Sequence, residues 1–220
     1  MKYLYLILLF GFLISPHIQA EAPSTITIEQ VLHELHNKGF AKTIGFEEYP
    51  TLSDKIPNSE LFKATLKRGE LSAIGDIIAK VTDYESLSDE DYFIIYPKKA
   101  AANHDLALVL RRVAYPNADN LMLSHFLEQI KSLNKAEPVY LTGSLVAGSD
   151  ISSTNLITTK DGTGQCYEVF NEIARQLKAN YWKIGHSIYI PSEKEKIHGP
   201  IALGAGNISF YRWGYISPPK

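Results

Sequence analysis

The sequence predicts an α+β fold of two tandem small units, each with two helices packed on a small mixed sheet. Three observations predict it. Shifting the chain by 95 residues carries the apolar face Ile28, Val31, Leu32 and Leu35 onto Leu123, Phe126, Leu127 and Ile130, which preserves an i, i+3, i+4, i+7 stripe. The same shift takes Leu61-Phe62 to Leu156-Ile157, Gly69 to Gly164, Leu71 to Cys166, Ile74 to Val169 and Ile78-Ala79-Lys80 to Ile173-Ala174-Arg175. Each copy then alternates strand-like and helix-like stretches over about 90 residues, as a compact layered unit does. Few of the pairs are identities, so chance likeness between amphipathic segments is the alternative.

Residues 1–20 stand apart. Lys2 precedes an apolar run from Leu4 to Ile14, Pro16 ends it, and Ile18-Gln19-Ala20 offers a small residue for cleavage. This is a signal peptide pattern, with an apolar core too short for a comfortable membrane span. No cysteine follows the cut, so lipoprotein processing is not expected. The reading is export to the periplasm, with secretion as the alternative, and no membrane insertion once the leader is removed.

The first unit is expected over 26–116. Thr27-Ile28-Glu29-Gln30 fits a capping box, the helix runs to about Asn37, and Gly39 suits a left-handed stop. A strand follows at 43–47, then a turn-rich loop at 50–59, a second strand at 61–66, and a glycine turn at Gly69 into the second helix. Tyr84 lies past that helix, and the alternating strand 92–96 closes at Pro97. The second unit, 121–215, repeats this: a helix from Leu123 without a capping box, strands at 138–142 and 156–159, Gly164 before the second helix, Tyr181 as the counterpart of Tyr84, and a strand at 187–190 closed by Pro191. Segments 105–114 and 200–213 add a fourth strand or a hairpin to each unit.

Helix, strand, loop, strand, glycine, helix, tyrosine, then a strand ending in proline resembles the short N-terminal domain shared by secretins and TonB-dependent receptors. The residues that carry the resemblance are Ile28-Glu29-Gln30-Val31-Leu32, the stretch 61–70, Ile173-Ala174-Arg175-Gln176-Leu177, Tyr181 and Ile188-Tyr189-Ile190-Pro191, in two tandem copies over about 26–97 and 121–191. The resemblance implies a periplasmic protein-interaction module. In that family the domain precedes an outer-membrane barrel or ring and contacts partner subunits or a signalling protein. Here seven residues follow Trp213, so the expected role is that of an accessory component of an envelope secretion, pilus or receptor system, its partner an envelope protein.

Charge excludes one class of partner. Removing Lys2 from 22 basic residues leaves 21 against 24 acidic ones, a net charge of −3 without a basic stripe, so nucleic acid is not indicated. The lone cysteine, Cys166, shares an apolar face with Val169, Ile173 and Leu177 and reads as a small buried hydrophobe. A hydrolase built on Cys166, or on a serine of the loop 143–154, is the enzymatic alternative, and the sequence has no GxSxG elbow to support the serine. His33 and His36 are three apart, where a zincin needs four, and read as a solvated helix face. His125, His186 and His198 are scattered. Gly162-Thr163-Gly164 lacks the lysine of a P-loop and reads as a strand-to-helix turn. No catalytic residue, metal ligand or cofactor is expected.

The candidate contact surface lies near the C-terminus. Phe210, Tyr211, Trp213 and Tyr215 crowd together after the turn 204–207, and such aromatics are favoured at protein interfaces. Strand alternation puts Ile208, Phe210 and Arg212 on one face and Ser209, Tyr211 and Trp213 on the other, so the segment is either packed between the units or open to edge pairing.

Overall fold

The computed structural model describes residues 24–99, 107–134, 151, 152, 154–187 and 205–212. Strand β1 (Thr25–Thr27) runs straight into helix α1 (Ile28–Asn37). The Thr27 hydroxyl accepts from the Gln30 N–H and the Gln30 side chain accepts from the Thr27 N–H, so the expected capping box is formed. Gly39 has φ 68°, a left-handed position that favours glycine. Strand β2 (Thr43–Glu48) follows, then β3 (Lys55–Pro57), which pairs antiparallel with β1.

The strand expected at 61–66 is instead helix α2 (Glu60–Arg68). Ser59 caps its first turn by accepting from the Phe62 N–H, Lys67 and Arg68 sit in its last turn, and Gly69 closes it at φ 70°. These are helix signals from end to end, and Phe62, Thr65 and Leu66 form its buried stripe. Helix α3 (Leu71–Val81) starts after Gly69 as expected, and β4 (Tyr84–Ser88) and β5 (Tyr92–Pro97) form an antiparallel hairpin behind it.

A short 3-10 turn, Leu108–Leu110, leads to β6 (Arg112–Tyr115), β7 (Ala118–Met122) and helix α4 (Leu123–Leu133). Strand β8 (Leu156–Thr159) pairs with β7. Strand β9 (Gly162–Gln165) pairs with β6, so Gly162 and Gly164 lie in a ladder rather than in the expected turn. Helix α5 (Cys166–Gln176) leads to β10 (Tyr181–Ser187) and then β11 (Ala205–Tyr211). The strand expected at 187–190 therefore begins earlier, and the turn expected at 204–207 is from Ala205 onward part of β11. Residues 138–142 and 188–191 lie outside the described residues.

The first- and second-half ribbons enter their helices identically. The Ile28 N–H donates to the Asp54 carbonyl at 3.0 Å, and the Leu123 N–H donates to the Asn155 carbonyl at 2.7 Å. Both halves then contribute to one sheet, of five strands among the described residues, in the order β11-β10-β2-β5-β4. β2 lies in its middle, parallel to β10 on one side and to β5 on the other. With a period of two, alternate side chains face opposite sides. Ile44, Phe46, Phe93 and Ile95 face a core built on α1, α2 and α3, while Ile94, Trp182, Ile184, Ile208 and Phe210 face one built on α4 and α5. All eight residues of the two matched apolar stripes are buried, each worth roughly 1.5–3 kcal/mol in removed apolar surface. Residues 107–109 and Val113, grouped by sequence with the first unit, pack in the second core.

One register differs from the sequence reading. Tyr84 faces its own helices, α1 to α3, whereas Tyr181 faces those of the other half, and Trp182 is the residue that faces α5. By the side it faces, Trp182 and not Tyr181 matches Tyr84, because a one-residue slip turns every strand side chain to the opposite face.

Candidate functional site

Where β2 and β10 run side by side, the two halves meet through polar groups as well as a ladder. Glu47 is fully buried. Its Oε1 accepts from the Leu108 N–H and its Oε2 from the Val109 N–H, both at 3.0 Å, and His186 Nε2 lies 2.9 Å from Oε1. One carboxylate from the first half thus gathers the connecting segment and a strand of the second. The Tyr49 ring stacks on His186 with centroids 3.9 Å apart. Among the described residues His186 Nδ1 is buried without a hydrogen-bond partner.

The opposite face of the same junction is also charged. Lys183 lies 3.0 Å from Glu48 and 3.2 Å from Glu29, and its ammonium sits over the Phe46 ring. Burial opposes the ammonium, but Glu29 and Glu48 outweigh it and hold the Lys183 pKa above its ordinary value. Tyr181 stacks on Tyr211 at 5.3 Å. Burial, with the nearby Glu29 carboxylate, raises the Tyr181 phenol well above its usual range.

Close packing completes the junction. A Cβ on Gly45 of β2 would come within 2.3 Å of the Trp182 ring, so the indole fills the space that glycine leaves. Its Nε1 donates to Asn171 Oδ1 at 2.8 Å, satisfying the one polar atom of a buried ring.

Cys166 is buried at the start of α5, and burial first, then the Glu47 charge, pushes its thiol well above the ordinary value against the pull of Arg111. Nucleophilic cysteines need a lowered pKa and access, and this one has neither. His33 Nδ1 is 3.0 Å from the Asn37 amide, and His36 Nε2 is 3.2 Å from the Asn180 amide, so the two histidines face different neighbours. Among the described residues no cluster of His, Cys, Asp or Glu could hold a metal ion, and no helix is long and apolar enough to cross a membrane. At the start of α5 the Glu168 carboxylate accepts from the Gln165 N–H at 2.9 Å, which occupies the place where an anion would sit. A cleft of about 620 Å³ between β2, the β4–β5 turn and α5 is lined by Lys42, Asp91, Tyr92, Tyr167, Glu172 and Arg175. Its cations are already paired, Lys42 with Asp91 and Arg175 with Glu172.

Of the four aromatics singled out by sequence, Phe210 is buried against Phe170 in the second core, with ring centroids 6.3 Å apart. Tyr211 faces the other side and is partly buried, so the expected alternation holds. Trp213 and Tyr215 lie outside the described residues. Arg212 turns its guanidinium to the Leu177 carbonyl at 2.7 Å, which secures the C-terminal end of the strand to α5. Strand β11 is at the margin of the sheet, with no strand on its outer side among the described residues. Sequence reasoning missed Glu47 and Lys183 and set His186 aside as a scattered histidine. The only signal was a pair of adjacent glutamates in an otherwise apolar strand, and the side chains they meet, His186 and Lys183, lie more than a hundred residues away.

Compared with family models, curated proteins and solved structures, the chain finds no match.

Proposed function

We propose that this chain is an exported, non-enzymatic protein-interaction module of two tandem units, 26–116 and 121–215, of the kind that precedes secretins and TonB-dependent receptors. It serves in the periplasm as an accessory component of an envelope secretion, pilus or receptor system. The observation that carries the interaction reading is the position of β11. The segment rich in aromatics is a sheet-margin strand whose outer groups have no partner strand among the described residues, the arrangement that strand addition uses. The tandem reading draws support from helix starts 95 residues apart, Ile28 with Leu123 and Leu71 with Cys166. It draws more from the matching Ile28–Asp54 and Leu123–Asn155 hydrogen bonds. The buried, raised Cys166 thiol weighs against the hydrolase alternative.

The test is a photo-crosslinking amino acid placed at Tyr211 and, separately, at the exposed Glu60, in living cells of the source organism. Crosslinks from position 211 but not 60 to secretin, receptor or pilus components are expected. Protein recovered free in the medium without position-dependent crosslinks would sink the accessory role and favour a secreted factor.

A further inference from the structure

The β10–β2 junction shows how one module of this chain accepts a strand, and the first half carries a second copy of the accepting edge. β4 and β10 are each the first strand of an antiparallel pair, and each follows the last described helix of its half, α3 and α5. The outer edge of β10 takes β2 in parallel, from Tyr181 against Ile44 to Gly185 against Glu48. The outer edge of β4 has no partner strand among the described residues. The Lys98 N–H donates to the Asp83 carbonyl and the Asp89 N–H to the Tyr92 carbonyl. Because bonded positions alternate along an antiparallel ladder, the N–H and C=O groups of Ser86 and Ser88 point outward from β4.

Charge says what fits there. Trp182 and Tyr84 match by the side they face, so Lys183 corresponds to Glu85. At the existing junction the lysine of the accepting strand meets Glu48 of the strand it accepts. On β4 the sign is reversed. Residues 83–91 hold Asp83, Glu85, Asp89, Glu90 and Asp91 with no lysine or arginine. Asp91 is paired with Lys42; Asp83 accepts from the Ser53 N–H, Glu85 from the Tyr96 hydroxyl and Asp89 from the Glu90 N–H, but Glu85, Asp89 and Glu90 have no ion-pair partner among the described residues. β2 of a second copy does not suit this edge: it is flanked on both sides already and would set Glu48 against Glu85.

We infer that the outer edge of β4 is a docking site for an extended segment of another protein, added parallel to β4 and carrying lysine or arginine beside Glu85. The inference rests on the tandem, protein-binding reading above and names the chemistry of its partner. Backbone groups of Ser86 and Ser88 supply the ladder, and Glu85 with Asp89 and Glu90 selects the charge.

The test uses the full chain and a fluorescein-labelled peptide of alternating valine and lysine, about eight residues long so as to span a short strand. Controls are a glutamate version and a lysine version interrupted by proline. Binding is followed by anisotropy, and β4 by amide hydrogen exchange. The lysine peptide is expected to bind and slow exchange at Ser86 and Ser88, and the interrupted peptide of equal charge is not. Glu85→Lys should weaken the lysine peptide by about tenfold or more, equivalent to roughly 1.4 kcal/mol, and transfer binding to the glutamate peptide. Ser88→Pro, which removes an outward N–H, should abolish binding with the circular dichroism spectrum unchanged. Lack of binding, binding without protection of β4, indifference to Glu85→Lys, or self-association that protects β4 would each overturn the proposal. Because this is measured on purified protein, its failure leaves the envelope role to the cellular crosslinking.

Discussion

The hairpins β4–β5 and β10–β11 follow corresponding helices and pair in the same sense, yet they are used differently. In the second half the first strand of the hairpin lies inside the sheet and binds β2; in the first half it is the sheet's margin among the described residues. The difference follows from what flanks each strand. β10 presents Trp182 to the gap over Gly45 and Lys183 to Glu48, whereas β4 presents Tyr84, whose hydroxyl is committed to the Tyr49 backbone, and the exposed Glu85. Two strands that pair in the same sense thus reach different ends through two or three side chains.

The strongest way to break this comparison is to remove the carboxylate that fixes the junction. Glu47→Ala leaves two buried N–H groups and His186 without their acceptor and is expected to cost about 3–5 kcal/mol, read by denaturant unfolding. A loss below about 1 kcal/mol, within the range of an ordinary exposed pair, would show that Glu47 does not hold the halves together. Gly45→Ala forces a methyl into the Trp182 ring and should cost about 1–3 kcal/mol. In a Trp182→Leu background most of that penalty should vanish. Additive effects in that double-mutant cycle would contradict direct packing of the two residues.

Alkali sharpens the comparison further. Burial raises Tyr84, Tyr181 and Cys166, and Glu29 and Glu48 raise Lys183 against burial. For each, the unfolded chain releases its proton first. Their contribution is therefore fully present below the unfolded pKa values, about 8.5 for cysteine and 10 for tyrosine and lysine, and is lost as pH rises through the folded ones. Stability should be level to about pH 8.5 and fall above it. Tyr84→Phe should flatten that fall by about 1.4 kcal/mol per pH unit in the window where only the unfolded phenol is ionised. An unchanged slope in pH-dependent denaturation would remove Tyr84 from the account. The smallest effect concerns the caps. Helix α1 has its capping box and α4 has no side-chain cap at Met122, so Thr27→Ala should cost about 1 kcal/mol while Met122→Thr gains a few tenths. Equal responses of the two helices would erase this difference between the halves.

Much of the local structure is legible in the chain. The Thr27–Gln30 box, the stop at Gly39, and the buried stripes of α1, α3, α4 and α5 depend on neighbours within a turn or two, and each stands where the sequence puts it. Helix α2 was legible too, through Ser59, Glu60, Lys67, Arg68 and Gly69, but alignment of Leu61-Phe62 with a true strand at Leu156-Ile157 masked those signals. Which of Tyr181 and Trp182 turns to which side is not legible in the same way. Tyr181 fits the tyrosine-then-strand pattern, but strand parity is set by a partner elsewhere in the chain.

What the sequence by itself determined was which segments become helices and which side of each helix is buried, because capping and amphipathic periodicity act over a few residues. Only the tertiary structure decided that strands from both halves share one sheet, that Glu47, Leu108, Val109 and His186 converge, and that β4 is left at its margin among the described residues. Those outcomes depend on pairing between residues up to 139 positions apart, and a strand's own residues do not specify which distant strand will supply the ladder.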